Sequence, residues 1–187
     1  MTTHSSPAPL SRVIVEIVGS PFHALVDPTD GAILAAGFET PGDPEAASLL
    51  TRLAKLDPVT AARGVNDQPL ESGATAEALR AYAAGDTAAI DHLPVRQPGP
   101  PFRNEVWQTL RLVEPGKAVT YSVLAEMAGR PRAIRAAASG CATNLVALVV
   151  PCHRIVRSDG GFGGYLFGTD IKERLLAHEH RFTDARE

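Results

Sequence analysis

Cys152 stands directly before His153 in the run Pro151-Cys152-His153-Arg154-Ile155-Val156. A free thiol has a pKa of about 8.5, so only a few per cent of it is thiolate at neutral pH, and a neighbouring base raises that fraction. An imidazole one residue away is such a base only under a geometric condition. Neighbours along a strand point to opposite faces, so His153 reaches the sulfur only if the chain turns there or a water bridges the two. Pro151 favours a departure from regular strand geometry. A buried, inert cysteine fits the same six residues, and the pair alone leaves both readings open.

The second cysteine, Cys141, lies eleven positions earlier. Two cysteines do not make a disulfide framework, and neither His153 nor His178 stands at a zinc-finger spacing from Cys152. No metal site and no cofactor is expected. A thiol peroxidase would need Cys141 to resolve the oxidised sulfur, and a thiol hydrolase would need an oxyanion site. Cys141 reads instead as a helix packing residue.

The elements that must hold this thiol can be traced along the chain. Arg12–Val18 reads as a strand from its β-branched content, with Pro21–Val26 as hairpin partner and a third strand at Ala32–Phe38 after the turn Asp27-Pro28-Thr29-Asp30-Gly31. Residues 44–56 read as a helix with Ala47, Leu50, Leu53 and Ala54 on one face. A second helix fits Ala74 to Ala84, with Leu79 and Tyr82 inward and Gly85 as its stop. Arg96–Pro101 holds three prolines and a glycine, a connection between domains. Helical spacing then runs over 102–113. Thr120 can cap a short helix from Tyr121 to Ala128, Gly129 stops it, and Pro131 suits the first turn of another from Arg132 to about Ala142.

These two short helices form a helix-turn-helix pattern. The second has Arg130, Arg132 and Arg135 around its start and small residues inside it, Ala136 to Gly140. Small residues suit close approach to a nucleic-acid groove, and they equally suit tight helix packing. Leu145–Val150 reads as a buried strand that delivers the chain to Pro151. A glycine-rich loop, Asp159–Tyr165, and a last helix from Asp170 to about His180 follow. The expectation is an α+β chain with a small strand-rich N-terminal domain over residues 1–95 and a connection at 96–101. A mainly helical C-terminal domain with a helix-turn-helix covers 102–187.

Composition sets outer bounds. Apolar residues make up 44% of the 187, which argues against a disordered chain, and no run approaches the roughly 18 apolar residues of a membrane span. Residues 1–9 have neither the basic start nor the apolar core of a signal peptide and read as a short disordered lead-in. The net charge of −3 is unevenly spread: −6 over residues 1–98 and +3 over residues 99–187. A basic second half is compatible with a polyanionic partner there, although the excess is small.

The larger pattern adds a resemblance. The Pro151-Cys152-His153-Arg154 core is preceded by Asn144 and followed by Gly163-Gly164-Tyr165 and Leu175-Leu176-Ala177-His178-Glu179. Together with Phe102–Trp107, Thr120–Ala125 and the Arg135 helix, it closely resembles the O6-alkylguanine-DNA alkyltransferases from about Phe102 to His180. The N-terminal half resembles the family only loosely, in its strand-rich start and Ala81-Tyr82-Ala83-Ala84-Gly85, and looks RNase H-like.

The resemblance implies direct reversal of DNA damage. An alkyl group on O6-guanine in duplex DNA would pass irreversibly to Cys152, once per protein molecule, after the nucleotide is flipped out; O4-alkylthymine is left open as a second substrate. It implies His153 as the base acting through a water, Glu179 as the carboxylate that orients it, and Asn144 as a brace of the cysteine turn. Tyr121 would crowd the 3′ phosphate and donate to N3 of guanine. Arg135 would enter the stack in place of the base, with Arg132 and Ala136 beside it on the DNA. Cys152, Ile155 and Leu166 would grip the guanine edge through their backbones, with Tyr165 against its face. A cytoplasmic monomer, without membrane attachment and with clustering on DNA left open, completes the expectation.

The sequence departs from the family in three places. Leu145 follows Asn144 where proline is usual. Ala138 and Ser139 replace a glycine-bearing stretch. Leu166-Phe167-Gly168 replaces a smaller loop beside the pocket, which bears on the alkyl groups that fit. A module that binds lesions without chemistry is the alternative, but relatives of that kind lack the acceptor cysteine.

Overall fold

The computed structural model describes residues 7–184; of the expected lead-in, residues 1–6 lie outside that range. Three antiparallel strands, β1 (Ser11–Ile17), β2 (Ser20–Val26) and β3 (Ile33–Phe38), form a sheet in the order β1-β2-β3. The β1–β2 turn has two residues, Val18 and Gly19, at φ 47° and 74°. A two-residue hairpin turn of this kind needs positive φ at both positions, which glycine supplies freely and valine only under strain. One face of the sheet, with Val13, Val15, Ile17, Phe22, Ala24 and Phe38, belongs to the main core. Leu25, Leu34 and Ala35 belong to a smaller cluster on the other side with Leu49 and Leu53.

The expected helix over 44–56 is interrupted. A 3-10 turn at Pro44–Ala46 holds Glu45 and Ala46 at positive φ, and α1 begins only at Ser48, running to Leu56. Asp43 accepts hydrogen bonds from the Ser48 N–H (2.9 Å) and hydroxyl (2.5 Å). This break turns the helix, so Leu49 and Leu53 face inward while Ala47 and Ala54 are exposed, which corrects the expected face. A short α2 (Pro58–Ala61) went unread in the sequence, although Asp57 accepts from Thr60 N–H at 3.0 Å and Pro58 sits in the first turn. The next helix, α3 (Ala74–Ala83), packs on β1 with Leu79 and Tyr82 buried, and Gly85 follows at φ 110°.

Past the N-terminal sheet the chain does not leave it at once. Ile33 N–H donates to Pro94 O (2.8 Å) and Arg96 N–H to Ile33 O (3.0 Å), so residues 94–96 run beside β3. Arg96 also pairs with Asp27 and Asp30, and Arg63 holds Asp27 through two bonds of 2.8 and 3.0 Å.

The second part opens with α4 (Pro101–Leu110), then β4 (Val119–Thr120), α5 (Tyr121–Met127) and α6 (Ile134–Ala142). Thr120 caps α5 by accepting from Val123 N–H at 3.3 Å. The start of α6 lies two residues later than expected. Ala133 N–H closes a turn onto Arg130 O at 2.8 Å, leaving Pro131 and Arg132 in the turn. Ala137 and Gly140 of α6 are buried. Trp107 Nε1 donates to Gly140 O at 2.9 Å, and a Cβ on Gly140 would meet Val106 at 2.7 Å. Part of the small-residue run therefore serves helix packing, while Ala136 and Ser139 remain exposed.

Leu145–Val150 is buried as expected but is not a strand. It makes a single parallel bridge, Val146 to Ala36, and then turns, with Leu148 at φ 68°. Burial fixed the composition of this run without fixing its backbone. After a 3-10 turn at Cys152–Arg154, β5 (Ile155–Val156) pairs in parallel with β4, and α7 runs from Thr169 to Asp184, past its expected end. The main core joins residues from β1, α3, α4, the 146–150 turn and α7. No helix among the described residues is long and apolar enough to cross a membrane.

The Asp27 carboxyl is held well below the usual carboxylate range, chiefly by the Arg63 hydrogen bonds working against burial. A depressed folded pKa stabilises above the unfolded value of about 3.9, and that contribution is lost as pH falls from there through the folded value. Asp27→Asn is expected to lose about 1–3 kcal/mol at pH 7 in urea unfolding. Its deficit against the unmodified chain should shrink as pH drops below about 5. A constant deficit would place the effect elsewhere.

Candidate active site

The thiol is set in place by one amide. Asn144 Nδ2 donates to Val150 O (2.8 Å) and, more weakly, to Val146 O (3.4 Å), while its Oδ1 accepts from Val146 N–H (3.1 Å). The 144–150 turn thus closes on this side chain. The same Nδ2 lies 3.3 Å from Cys152 Sγ. Two residues of the preceding chain brace the asparagine. Gln97 donates to its Oδ1 (3.1 Å) and accepts from Leu145 N–H (2.9 Å), and Arg52 of α1 donates to its backbone carbonyl at 2.9 Å.

Pro151, at φ −83° and ψ 64°, ends the run, and Cys152 opens a 3-10 turn. The chain therefore turns here rather than continuing as a strand. Successive residues of such a turn point about 120° apart. Cys152 reaches a pocket wall while His153 and Arg154 go inward, at 0% and 1% exposure. His153 Nε2 lies 2.8 Å from Glu179 Oε1 on α7. Arg154 grips the same carboxylate through Nε and Nη2 at 2.9–3.2 Å, and its Nη1 donates to Val113 O at 2.5 Å. Tyr82 donates to Oε1 at 2.8 Å, and Gly116 N–H reaches Oε2 at 3.4 Å.

Charge assigns the protons. Burial alone would raise the Glu179 carboxyl, but the charges and hydrogen bonds of His153 and Arg154 outweigh it and hold the group well below the usual range. An ionised carboxylate only accepts, so His153 carries its proton on Nε2 and a lone pair on Nδ1. That Nδ1 is buried and has no hydrogen-bond partner among the described residues. Burial pushes His153 down despite Glu179, so the ring rests neutral. Burial also pushes the Cys152 thiol up, against the Asn144 hydrogen bond and the Lys172 charge. The resting pair is thiol and neutral imidazole.

The pocket in front of the sulfur is lined by Tyr121, Ala138, Ala142, Tyr165, Leu166 and Phe167, among others. Of the sequence-derived candidates, Cys152, Asn144, Tyr121, Tyr165 and Leu166 meet there. His153 and Glu179 do not line it and are buried instead. Ile155 does not line the pocket: it is fully buried in β5, its N–H is donated to Cys152 O, and its carbonyl accepts from Lys172. Cys141, read as a packing residue, packs against the main core and also lines the pocket, and burial raises its thiol strongly.

Arg132, Arg135 and Ala136 are exposed and outside the pocket, Arg132 in the turn before α6. Positions 135, 138 and 142 share one helical stripe, which leads from the exposed Arg135 to the pocket wall. Phe167 is anchored in the N-terminal sheet. Its ring stands edge-on to Phe38 and Tyr165, and a Cβ on Gly37 would come within 2.4 Å of it.

Sequence reasoning missed Arg154, Tyr82, Lys172, Arg52 and Gln97. Arg154 sat inside the motif, and its inward direction was the missing fact. Lys172 is 1% exposed and bonds the carbonyls of Ile155 and Phe162, which no helical pattern announces. Among the described residues no three His, Cys, Asp or Glu side chains group closely enough to hold a metal ion.

Comparison with known proteins bears on this constellation. Residues 101–181 match the family model described as 6-O-methylguanine DNA methyltransferase, DNA binding domain. The chain is 44% identical over 107 residues to a methylated-DNA–protein-cysteine methyltransferase of Shigella flexneri, covering 57% of this chain and 63% of that protein. It is 36% identical over 164 residues to the regulatory protein ada of Salmonella typhimurium, covering 84% of this chain and 45% of that one. The chain thus spans about three fifths of the first relative and under half of the second. The crystal structure of Mycobacterium tuberculosis O6-methylguanine methyltransferase superposes with a TM-score of 0.66 at 20% identity, over 92% of this chain and 94% of that one. At that identity the likeness is one of fold.

Asn144→Ala removes the donor on the sulfur and the closure of the 144–150 turn together. It is expected to lower stability by about 1–3 kcal/mol in urea unfolding. It should also move the Cys152 thiol further up, read as thiolate absorbance against pH with Cys141 replaced by Ala. A thiol that titrates lower in the variant would contradict the assigned hydrogen bond.

Proposed function

We propose that this chain, whose residues 101–181 match the 6-O-methylguanine DNA methyltransferase DNA-binding domain model, repairs O6-alkylguanine in duplex DNA by moving the alkyl group onto Cys152. One observation carries the reading. The Cys152 thiol stands at a pocket wall, and the next residue of the same 3-10 turn, His153, is buried in a chain with Glu179 and Arg154.

In this reading the thiol proton passes through a water to His153 Nδ1, and Glu179 stabilises the imidazolium that forms. The sulfur attacks the alkyl carbon, an S–C bond forms and the C–O6 bond breaks. Negative charge moves onto the guanine, where donors such as the Tyr121 hydroxyl and the Leu166 N–H spread it. The proton on His153 is then available to the leaving base. The product thioether is stable, so each molecule acts once.

The alkyl carbon lies inside the duplex and must be brought to the pocket, at about a few kcal/mol for unstacking. The stripe on α6 suits that task. Arg135 stands exposed at its outer end, beside Ala136 and near Arg132, and the bare helix face admits a groove. DNA contact of this kind is salt-dependent and tolerant of sequence. The reading keeps the division into residues 1–95, a connection at 96–101 and 102–187. It carries a cytoplasmic monomer, with clustering on DNA left open. The ring of Phe167 at the pocket wall favours small alkyl groups.

Two measurements test the reading. Incubation with O6-methylguanine duplex should add one methylene in mass to each molecule, mapped to the Cys152 peptide, and Cys152→Ala should abolish it. Sustained turnover, or binding with no mass gain, would overturn the proposal. Arg135→Ala should slow repair in duplex at least tenfold, an effect of about 1.4 kcal/mol, while reaction with free O6-alkylguanine base changes little. Equal loss on both substrates would assign Arg135 to the pocket instead.

A further inference from the structure

We infer that Tyr82, on α3 of the N-terminal part, is a positioning residue of the acceptor site: its hydroxyl holds the carboxylate oxygen on which His153 leans and so sets the strength of that base. The inference rests on the proposed use of His153 as the base for Cys152.

Tyr82 lies 97 positions from Glu179, yet its hydroxyl is 2.8 Å from Glu179 Oε1, the oxygen that His153 Nε2 also reaches at 2.8 Å. The tyrosine is fully buried. The direction of the bond is fixed, because the carboxylate is ionised and can only accept. Burial, and next the Glu179 charge, push the phenol well above its ordinary range, so it keeps its proton. The backbone of Tyr82 is tied to the same helix, since His178 Nε2 lies 2.9 Å from its carbonyl. Beyond it, Phe182 packs over Gly85 so closely that a Cβ there would meet the ring at 2.5 Å. The hydroxyl is therefore delivered to Oε1 on a fixed mount. Phenylalanine would meet the packing need equally well, and the hydroxyl is the part that packing does not explain.

Other charges face this pair. Arg154 comes from the Cys152 turn, Lys172 from α7 itself, Asp91 from the segment after α3, and Tyr165 from the pocket loop. Arg154 is the only one of these with a hydrogen bond to the carboxylate among the described residues. Arg154 neutralises Glu179 as a whole, whereas Tyr82 draws charge from Oε1 alone, the atom facing His153. A donor on that oxygen weakens its hold on an imidazolium. Removing the donor makes His153 a stronger base that stays protonated to higher pH.

The test compares the unmodified chain, Tyr82→Phe, and a chain carrying 3-fluorotyrosine at position 82, whose phenol is a stronger donor. Two rates are followed against pH: carboxamidomethylation of Cys152 by iodoacetamide, read on its peptide, and single-turnover methyl transfer from O6-methylguanine duplex. In Tyr82→Phe the acid limb of both profiles should move up by roughly half to one pH unit, and fluorotyrosine should move it the other way. Iodoacetamide profiles that superimpose in all three proteins overturn the inference, whatever their rates. Shifted iodoacetamide profiles without methyl transfer in the unmodified chain support the link from Tyr82 to His153 and sink the proposed function alone. Should Tyr82→Phe fold poorly, the fluorotyrosine shift decides the matter.

Discussion

A carboxylate with almost no access to water lies at the centre of this protein, and it must remain charged. Glu179 is 0% exposed. An ion in that position is tolerable only when its partners satisfy it from several directions, and removing one partner of such a pair typically costs about 3–5 kcal/mol. Arg154 supplies the countercharge through a forked contact, as only a guanidinium can. His153, Tyr82 and the Gly116 N–H take up the remaining acceptor capacity. These donors come from the cysteine turn, from α3 and from the loop after α4. The carboxylate therefore forces three distant segments together, and the histidine that follows the acceptor cysteine inherits a fixed tautomer from it.

Asn144 plays the corresponding part in front of the histidine. A run of six apolar residues gains equally from burial as a strand or as a turn. What selects the turn is an amide whose donor and acceptor close on Val150 O and Val146 N–H, even with Leu148 held in the left-handed region. The sulfur receives the same Nδ2. One side chain thus shapes the loop and touches the thiol it presents. Burial opposes the thiolate, and the hydrogen bond and the Lys172 charge favour it. The thiol is accordingly held back as a neutral group until its proton is taken.

The N-terminal part shows no reactive motif, yet it reaches the site by three routes. Arg52 braces the Asn144 carbonyl, Gly37 receives the ring of Phe167 from the pocket loop, and Tyr82 contacts Glu179. Each contact joins residues far apart in the chain, and the main core runs through both parts without a break. The small residues of α6 serve two ends for the same steric reason. Gly140 admits Val106 and the Trp107 bond on one side, while Ala136 leaves the other side bare.

By itself the sequence determined what local chemistry controls. The strands β1 to β3, the Thr120 cap, the stop at Gly85 and the cysteine run with its histidine were all legible, because each depends on residues a few positions apart. Local rules already failed where a kink intervened, at Glu45 and Ala46, and where a backbone bond moved the start of α6 past Arg132. The tertiary structure alone decided the rest. Whether Arg154 points in or out and which tyrosine reaches Glu179 depend on partners tens of residues away, and residues 145–150 turn on an adjacent Asn144 that Gln97 and Arg52 brace from a distance. Burial of apolar surface has no direction, so composition can mark those segments as interior without saying how they lie. The direction comes from buried polar groups that must each find a partner, and those partners meet only once the chain has folded.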